Sequence, residues 1–128
     1  MRHEPIQVPG VPSMPGMSQV VRAGNTLYIS GQVGLDESGG VAENDADAQA
    51  VQIFENLKAC LDASGASFDD IVKLTCFCVS VDDYAAYSKV KKQHVDSDGP
   101  AGTAVIVKAL LDPRLLIEVE AVAVLERS

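Results

Sequence analysis

The segment Ile117-Glu118-Val119-Glu120-Ala121-Val122-Ala123-Val124 constrains this chain more than any other. It lies inside an apolar stretch that reads as a strand from Leu115 to Leu125, yet it carries two carboxylates on one strand face, about 7 Å apart. Charge in an apolar strand is expensive unless it is paired or functional. The position directly after Pro100-Ala101, where a cationic partner is expected, holds Gly102. The pattern predicts a pocket with a carboxylate in it and no neighbouring cation from that position.

The remaining elements read from period and turn chemistry. Ser18–Arg22 and Thr26–Ser30 are β-branched or apolar runs around Ala23-Gly24-Asn25, a hairpin signal. From about Asp45 to Ser64, Ala46, Ala50, Ile53, Phe54, Leu57 and Leu61 recur at helical spacing. Asn44 or Asp45 suits the helix N-terminus and Gly65 its end. Ser67-Phe68-Asp69-Asp70 looks like one capped turn. Ile71–Ser80 reads as a strand, with Val72, Leu74, Cys76 and Cys78 on one side and Ile71, Phe77 and Val79 on the other. Asp82 or Asp83 is expected to cap a second helix over about Tyr84–Val95, with Tyr84, Tyr87 and Val90 as its stripe. Thr103–Leu111 and Leu115–Leu125 are the last strands, Leu115–Leu125 the longest. The order β-β-α-β-α-β-β predicts an α+β domain, a mixed sheet with two helices on one face. Residues 1–128 form one domain, and four of the six prolines mark Met1–Gly16 as an irregular lead-in. Two helices leave one apolar sheet face uncovered, which predicts self-association.

Composition narrows the function classes. Hydrophobic residues make up 47% and charged residues 22%, enough for a packed core. A net charge of −8 disfavours nucleic acid and anionic membranes as partners. The densest basic run, Lys89, Lys91 and Lys92, reads as a solvated helix face. Three cysteines, Cys60, Cys76 and Cys78, with no secretion-like apolar core near the N-terminus, point to reduced core thiols and a cytoplasmic protein. No segment approaches a membrane span. With only His3 and His94, no zinc spacing appears, and neither a metal nor a cofactor is expected.

The stretch Gly24-Asn25-Thr26-Leu27-Tyr28-Ile29-Ser30-Gly31-Gln32 resembles the G-N-x-hydrophobic-x-x-S-G-Q signature of the RidA/YjgF family, the imine deaminases also labelled L-PSP endoribonucleases. Gln49-Ala50, Phe54-Glu55-Asn56-Leu57-Lys58, Gly65, Asp70-Ile71-Val72-Lys73, Phe77-Cys78-Val79, Pro100-Ala101 and Ile117-Glu118-Val119-Glu120-Ala121 follow in the family's order. The match runs from about Met17 to Leu125. The resemblance implies a chorismate-mutase-like fold and a homotrimer with three inter-subunit clefts. It implies that each cleft takes a small 2-imino or 2-enamino acid, clamped by an arginine after Pro-Ala. The first Glu of I-E-x-E-A orients or activates water.

Carried over residue by residue, Ser30, Gly31 and Glu118 are present. The arginine position is Gly102, the pocket tyrosine falls at Met17, and the helix-two asparagine falls at Ser88. The small polar or thiol residue two after the arginine falls at Ala104. Thr103 and Ser30 are candidate hydrogen-bond donors to a neutral ligand. Gly31 and Gly102 serve either close backbone packing or a wider pocket. A bidentate Arg–carboxylate pair is charge-assisted and selective, and glycine offers neither property. The expected function is therefore a RidA-like hydrolase or deaminase with Glu118 as its catalytic residue. Its substrate is expected to be imine- or enamine-like or related, neutral or lacking the usual carboxylate, and weak or absent activity is expected on the usual amino-acid-derived imines. Lys108 or Arg114 is a possible substitute cation. A trimer that only binds a ligand or partner is the alternative. An endoribonuclease is disfavoured by acidity, by the lack of a basic stripe and by the absence of a His/Lys catalytic pair.

Overall fold

The structure is a computed structural model that describes residues 3–126. Six strands form one mixed sheet: β1 (Glu4–Ile6), β2 (Val20–Ala23), β3 (Thr26–Val33), β4 (Ile71–Cys78), β5 (Ala101–Ile106) and β6 (Ile117–Val124). Their spatial order is β1-β2-β3-β6-β4-β5, parallel only at β4–β5. Helices α1 (Ala46–Ala63) and α2 (Val81–Lys91) cover one face, α1 against β3 and β6 and α2 against β4 and β6. The expected α+β architecture is present.

Local chemistry explains the boundaries. Gly24, at φ 62°, takes the first position of the two-residue β2–β3 turn, a conformation that glycine adopts without strain. The Asp45 carboxylate accepts the Ala48 N–H at 3.0 Å and caps α1. Ala50, Ile53, Phe54, Leu57 and Leu61 fill the core with Leu27, Leu74, Ile117 and Val119. The apolar stripe read from the sequence is the buried one. His94 stacks on Phe54 and Phe68, ring centroids 5.1 and 4.7 Å away, and closes one end of that core.

Five expectations require correction. The lead-in is not irregular throughout: Glu4–Ile6 pairs antiparallel with β2, and Ile6 and Val8 pack on the core. Pro5 is tolerated there because β1 is an edge strand; Met1 and Arg2 lie outside the described residues. Helix α2 starts earlier, at Val81, and ends at Lys91, because the Ser80 hydroxyl accepts the Asp83 N–H at 3.1 Å. Asp82 and Asp83 then favour the first turn through the helix dipole. In β4 a register shift between Ile71 and Lys73 puts Ile71 in the core beside Leu74 and turns Val72 outward. Strand β5 begins at Ala101 and stops at Ile106, leaving Leu111 exposed, and β6 is no longer than β3 or β4 at eight residues each.

The buried polar groups are paired. Gln49 is fully buried; its amide donates to the Ala42 and Arg114 carbonyls and its oxygen accepts the Leu116 N–H. Asn56 donates to the carbonyls of Val33 and Leu35. The three cysteines are buried and free, and burial pushes the Cys60 and Cys76 thiols up to about 12. The face opposite the helices carries exposed Tyr28, Val105 and Val124 beside half-buried Phe77 and Val122.

Candidate functional site

Glu118 projects from β6 on that open face. Its neighbour across the β3 edge is set by a bulge. Ile29 pairs with Ala121 and Gln32 with Val119, so Ser30 and Gly31 together oppose Glu120 alone. Such two-against-one insertions bend the strand and re-aim its side chains. Here the bulge brings the Gly31 backbone under the Glu118 carboxylate. A Cβ at position 31 would lie 2.1 Å from Glu118 Oε2 and 2.8 Å from Cδ. Glycine is required at 31 for this carboxylate to lie where it does.

Ser30 holds the bulge in place. Its N–H donates to the Gln19 carbonyl at 2.9 Å and its hydroxyl donates to the Ser18 carbonyl at 2.7 Å. Gln32 donates to Gln19 and to the Ser30 carbonyl. The Ser30 hydroxyl proton is thus committed to the backbone, leaving its oxygen as an acceptor. Met17 stands exposed one residue before Ser18.

The electrostatics of Glu118 are unusual for a surface strand. The residue is half-buried, and burial raises its carboxyl above the ordinary carboxylate range; Glu120 on the same face raises it further. The two ion pairs among the described residues, Lys58–Asp62 and Arg114–Asp112, lie elsewhere. A carboxyl poised this way serves either as proton acceptor or as donor closer to neutral pH than an exposed glutamate does.

The second group of expected residues sits two strands away. Glu118 and Val105 flank Phe77 from opposite sides, a separation of about 9.5 Å across β4. Gly102 pairs with Leu74 and shares its helix-facing side; a Cβ there would meet only the Leu74 carbonyl, at 3.9 Å. Ala104 shares that side, whereas Thr103 faces the open side, where its hydroxyl accepts from Lys73 Nζ at 2.8 Å. Ser88 is half-buried on α2. One chain therefore brings Gly31 against Glu118, with Ser30 in the same bulge, and leaves Gly102, Thr103 and Ala104 two strands away on β5, Thr103 on the opposite face from the other two.

Of the two cations considered as substitutes, Arg114 is held by Asp112 through a fork of hydrogen bonds at 2.7–3.3 Å, which lowers the Asp112 carboxyl to about 2. Lys108 is exposed beyond the end of β5. Lys91 and Lys92 read from the sequence only as part of a solvated helix face. They line a groove of about 510 Å³ with Tyr87, Pro100, Ala101 and Gly102. The one available signal was the four-residue spacing of Tyr87 and Lys91, which sets the ammonium 5.4 Å from the ring centroid. Among the described residues, no group of three His, Cys, Asp or Glu side chains is placed to hold a metal ion, and no helix is long and apolar enough to cross a membrane.

Comparison with known proteins follows this geometry. The family model described as endoribonuclease L-PSP matches residues 11–125. A RutC family protein of Pyrococcus horikoshii is 38% identical over 108 residues, 83% of this chain and 84% of its own length. The human 2-iminobutanoate/2-iminopropanoate deaminase is 39% identical over 114 residues, covering 84% of this chain and 78% of that protein. The crystal structure of RidA from an Antarctic Psychrobacter superposes with a TM-score of 0.87 at 36% identity, covering 95% of this chain and 99% of the other.

Proposed function

This chain belongs to the endoribonuclease L-PSP family, which includes the RidA-type imine deaminases, and on that footing we propose that it hydrolyses a small imine or enamine-derived imine. The observation that carries the reading is the Glu118 carboxyl, half-buried and shifted upward over the bare backbone of Gly31. The absence of a side chain at Gly31 is what lets the Glu118 carboxyl lie against the strand, where a water and a planar C=N group would approach it from the open face in this reading.

In the proposed reaction Glu118 accepts a proton as the water oxygen bonds to the imine carbon. The C=N π pair moves onto nitrogen, which takes that proton from Glu118 to give a carbinolamine; Glu118 then accepts the carbinolamine hydroxyl proton and delivers it to nitrogen as the C=O bond forms and the C–N bond breaks. One imine and one water yield one carbonyl compound and one ammonia, so no redox partner is needed. Glu118 is regenerated as the carboxylate.

The substrate is not held through residue 102. Glycine there gives an α-carboxylate no bidentate clamp, and the protein's net charge of −8 gives it no general attraction. 2-Imino acids whose only anionic group is the α-carboxylate are therefore poor substrates in this reading. The complete cleft forms between copies of a homotrimer, with Glu118 and Gly31 from one subunit and the Gly102 segment from the next. The exposed Tyr28, Val105 and Val124 on the open sheet face support that association.

The test is acceleration of imine loss over the spontaneous rate by purified protein and by Glu118→Gln. Acceleration that vanishes in the folded variant is the expected result. Turnover that survives in Glu118→Gln overturns the assignment.

A further inference from the structure

The groove beside Gly102 deepens this reading. The chain leaves β4, runs back through α2 and re-enters the sheet at the start of β5, so the last turn of α2 meets the first residues of β5. Gly102 lies at that junction and leaves it open, since a Cβ there would touch nothing closer than 3.9 Å. The space is about 510 Å³, the size of a small-molecule site. Leu74 and Tyr87 line its inner side. Lys91 and Lys92 supply its positive charge and Asp96 its one carboxylate, leaving the groove net positive in a protein of charge −8. The Lys91 ammonium lies 5.4 Å from the centroid of the groove-lining Tyr87 ring, a cation–π distance that favours this placement.

Resting on the proposed deaminase reading, we infer that Lys91 and Lys92 bind an anionic group of the substrate that sits several bonds from the C=N carbon. The cation has moved from the strand, where residue 102 is bare, to the helix behind it. In this inference the α-carboxylate stays beside the bare Gly102, and a second carboxylate at the end of a short chain is the group the lysines take. The preferred substrate class is thus an imine with a remote anionic group, whose connecting carbons lie over Gly102.

The experiment compares two imines generated in situ by the matching amino-acid oxidases: that of alanine, with one carboxylate next to C=N, and that of glutamate, with a second carboxylate beyond it. Wild-type protein is expected to favour the glutamate imine in kcat/KM by tenfold or more. Lys91→Met/Lys92→Met is expected to remove at least tenfold of that preference, Lys91→Arg to retain most of it, and Lys58→Met, on α1, to leave it unchanged. Glutarate and propanoate titrations, followed by amide shifts around Gly102 and Lys91, read the groove without turnover. Equal treatment of both imines, or glutarate binding that ignores the double substitution, overturns the inference. Charge-dependent glutarate binding in a protein that hydrolyses neither imine keeps the anion groove and overturns the deaminase reading instead.

Discussion

Gly31→Ala tests how closely the proposed chemistry depends on the β3 bulge. The new methyl carbon would sit 2.1 Å from Glu118 Oε2, and ordinary contact begins near 3.4 Å. The carboxylate must therefore retreat by about 1.3 Å, since it is the flexible partner and the bulge is held by the Ser30 hydrogen bonds to Ser18 and Gln19. Pushing the side chain off its rotamer costs about 1 kcal/mol, a small effect on folding. Misplacing a catalytic group by about 1 Å costs on the order of 100-fold in rate. The expected outcome is a folded protein with a urea midpoint close to wild type and about 100-fold lower kcat/KM. A double-mutant cycle with Glu118→Ala isolates the cause: once the carboxylate is gone, the methyl has nothing to displace, and the stability cost disappears. A Gly31→Ala protein that keeps activity within threefold refutes the reasoning, as does a stability loss that persists undiminished in the Glu118→Ala background.

Other outcomes follow from the same structure. The Glu118 carboxyl is raised in the folded state, so the folded protein binds its proton more tightly than the unfolded chain; stability from this group is full below the unfolded value and is lost as pH rises through the folded one. Glu118→Gln should therefore equal or exceed wild type in urea stability at pH 7, with the difference shrinking toward pH 4. Replacing Gln49 by Leu removes the partner of the Leu116 N–H and of the Ala42 and Arg114 carbonyls at part-buried sites, and should lower unfolding free energy by about 1–3 kcal/mol in denaturant melts. A thiol reagent at pH 8 should find almost no fast-reacting cysteine in the native protein and three after denaturation, since Cys60, Cys76 and Cys78 are all buried. If the open sheet face joins copies, Val105→Asp should lower the mass read by light scattering from that of a trimer.

Much of the fold was legible because the apolar residues of α1, β3, β4 and β6 recur at unambiguous periods. The strand β1 was not: three residues beside a proline carry no period, and they become a strand only because β2 offers an edge. The Val72/Ile71 inversion was hidden for a related reason, since alternation assumes unbroken register and the β4 irregularity breaks it. The Ser30-Gly31 motif marked the place of the carboxylate, but not the bulge that presents it. Gly102 was visible as a missing cation. Lys91 and Lys92 were not visible as a replacement, because the α2–β5 juxtaposition depends on how the chain returns to the sheet.

That return path has a consequence for how such a protein can change. The residues that seat Glu118 are woven into the middle of the sheet, where each substitution disturbs packing. Position 102 and the last turn of α2 lie on an edge strand and a half-exposed helix end, where charge and size can vary at little cost to folding. If the proposed roles hold, reactivity and selectivity lie in separable parts of the fold, and new substrates become reachable through a few peripheral exchanges while the carboxyl and its glycine stay fixed.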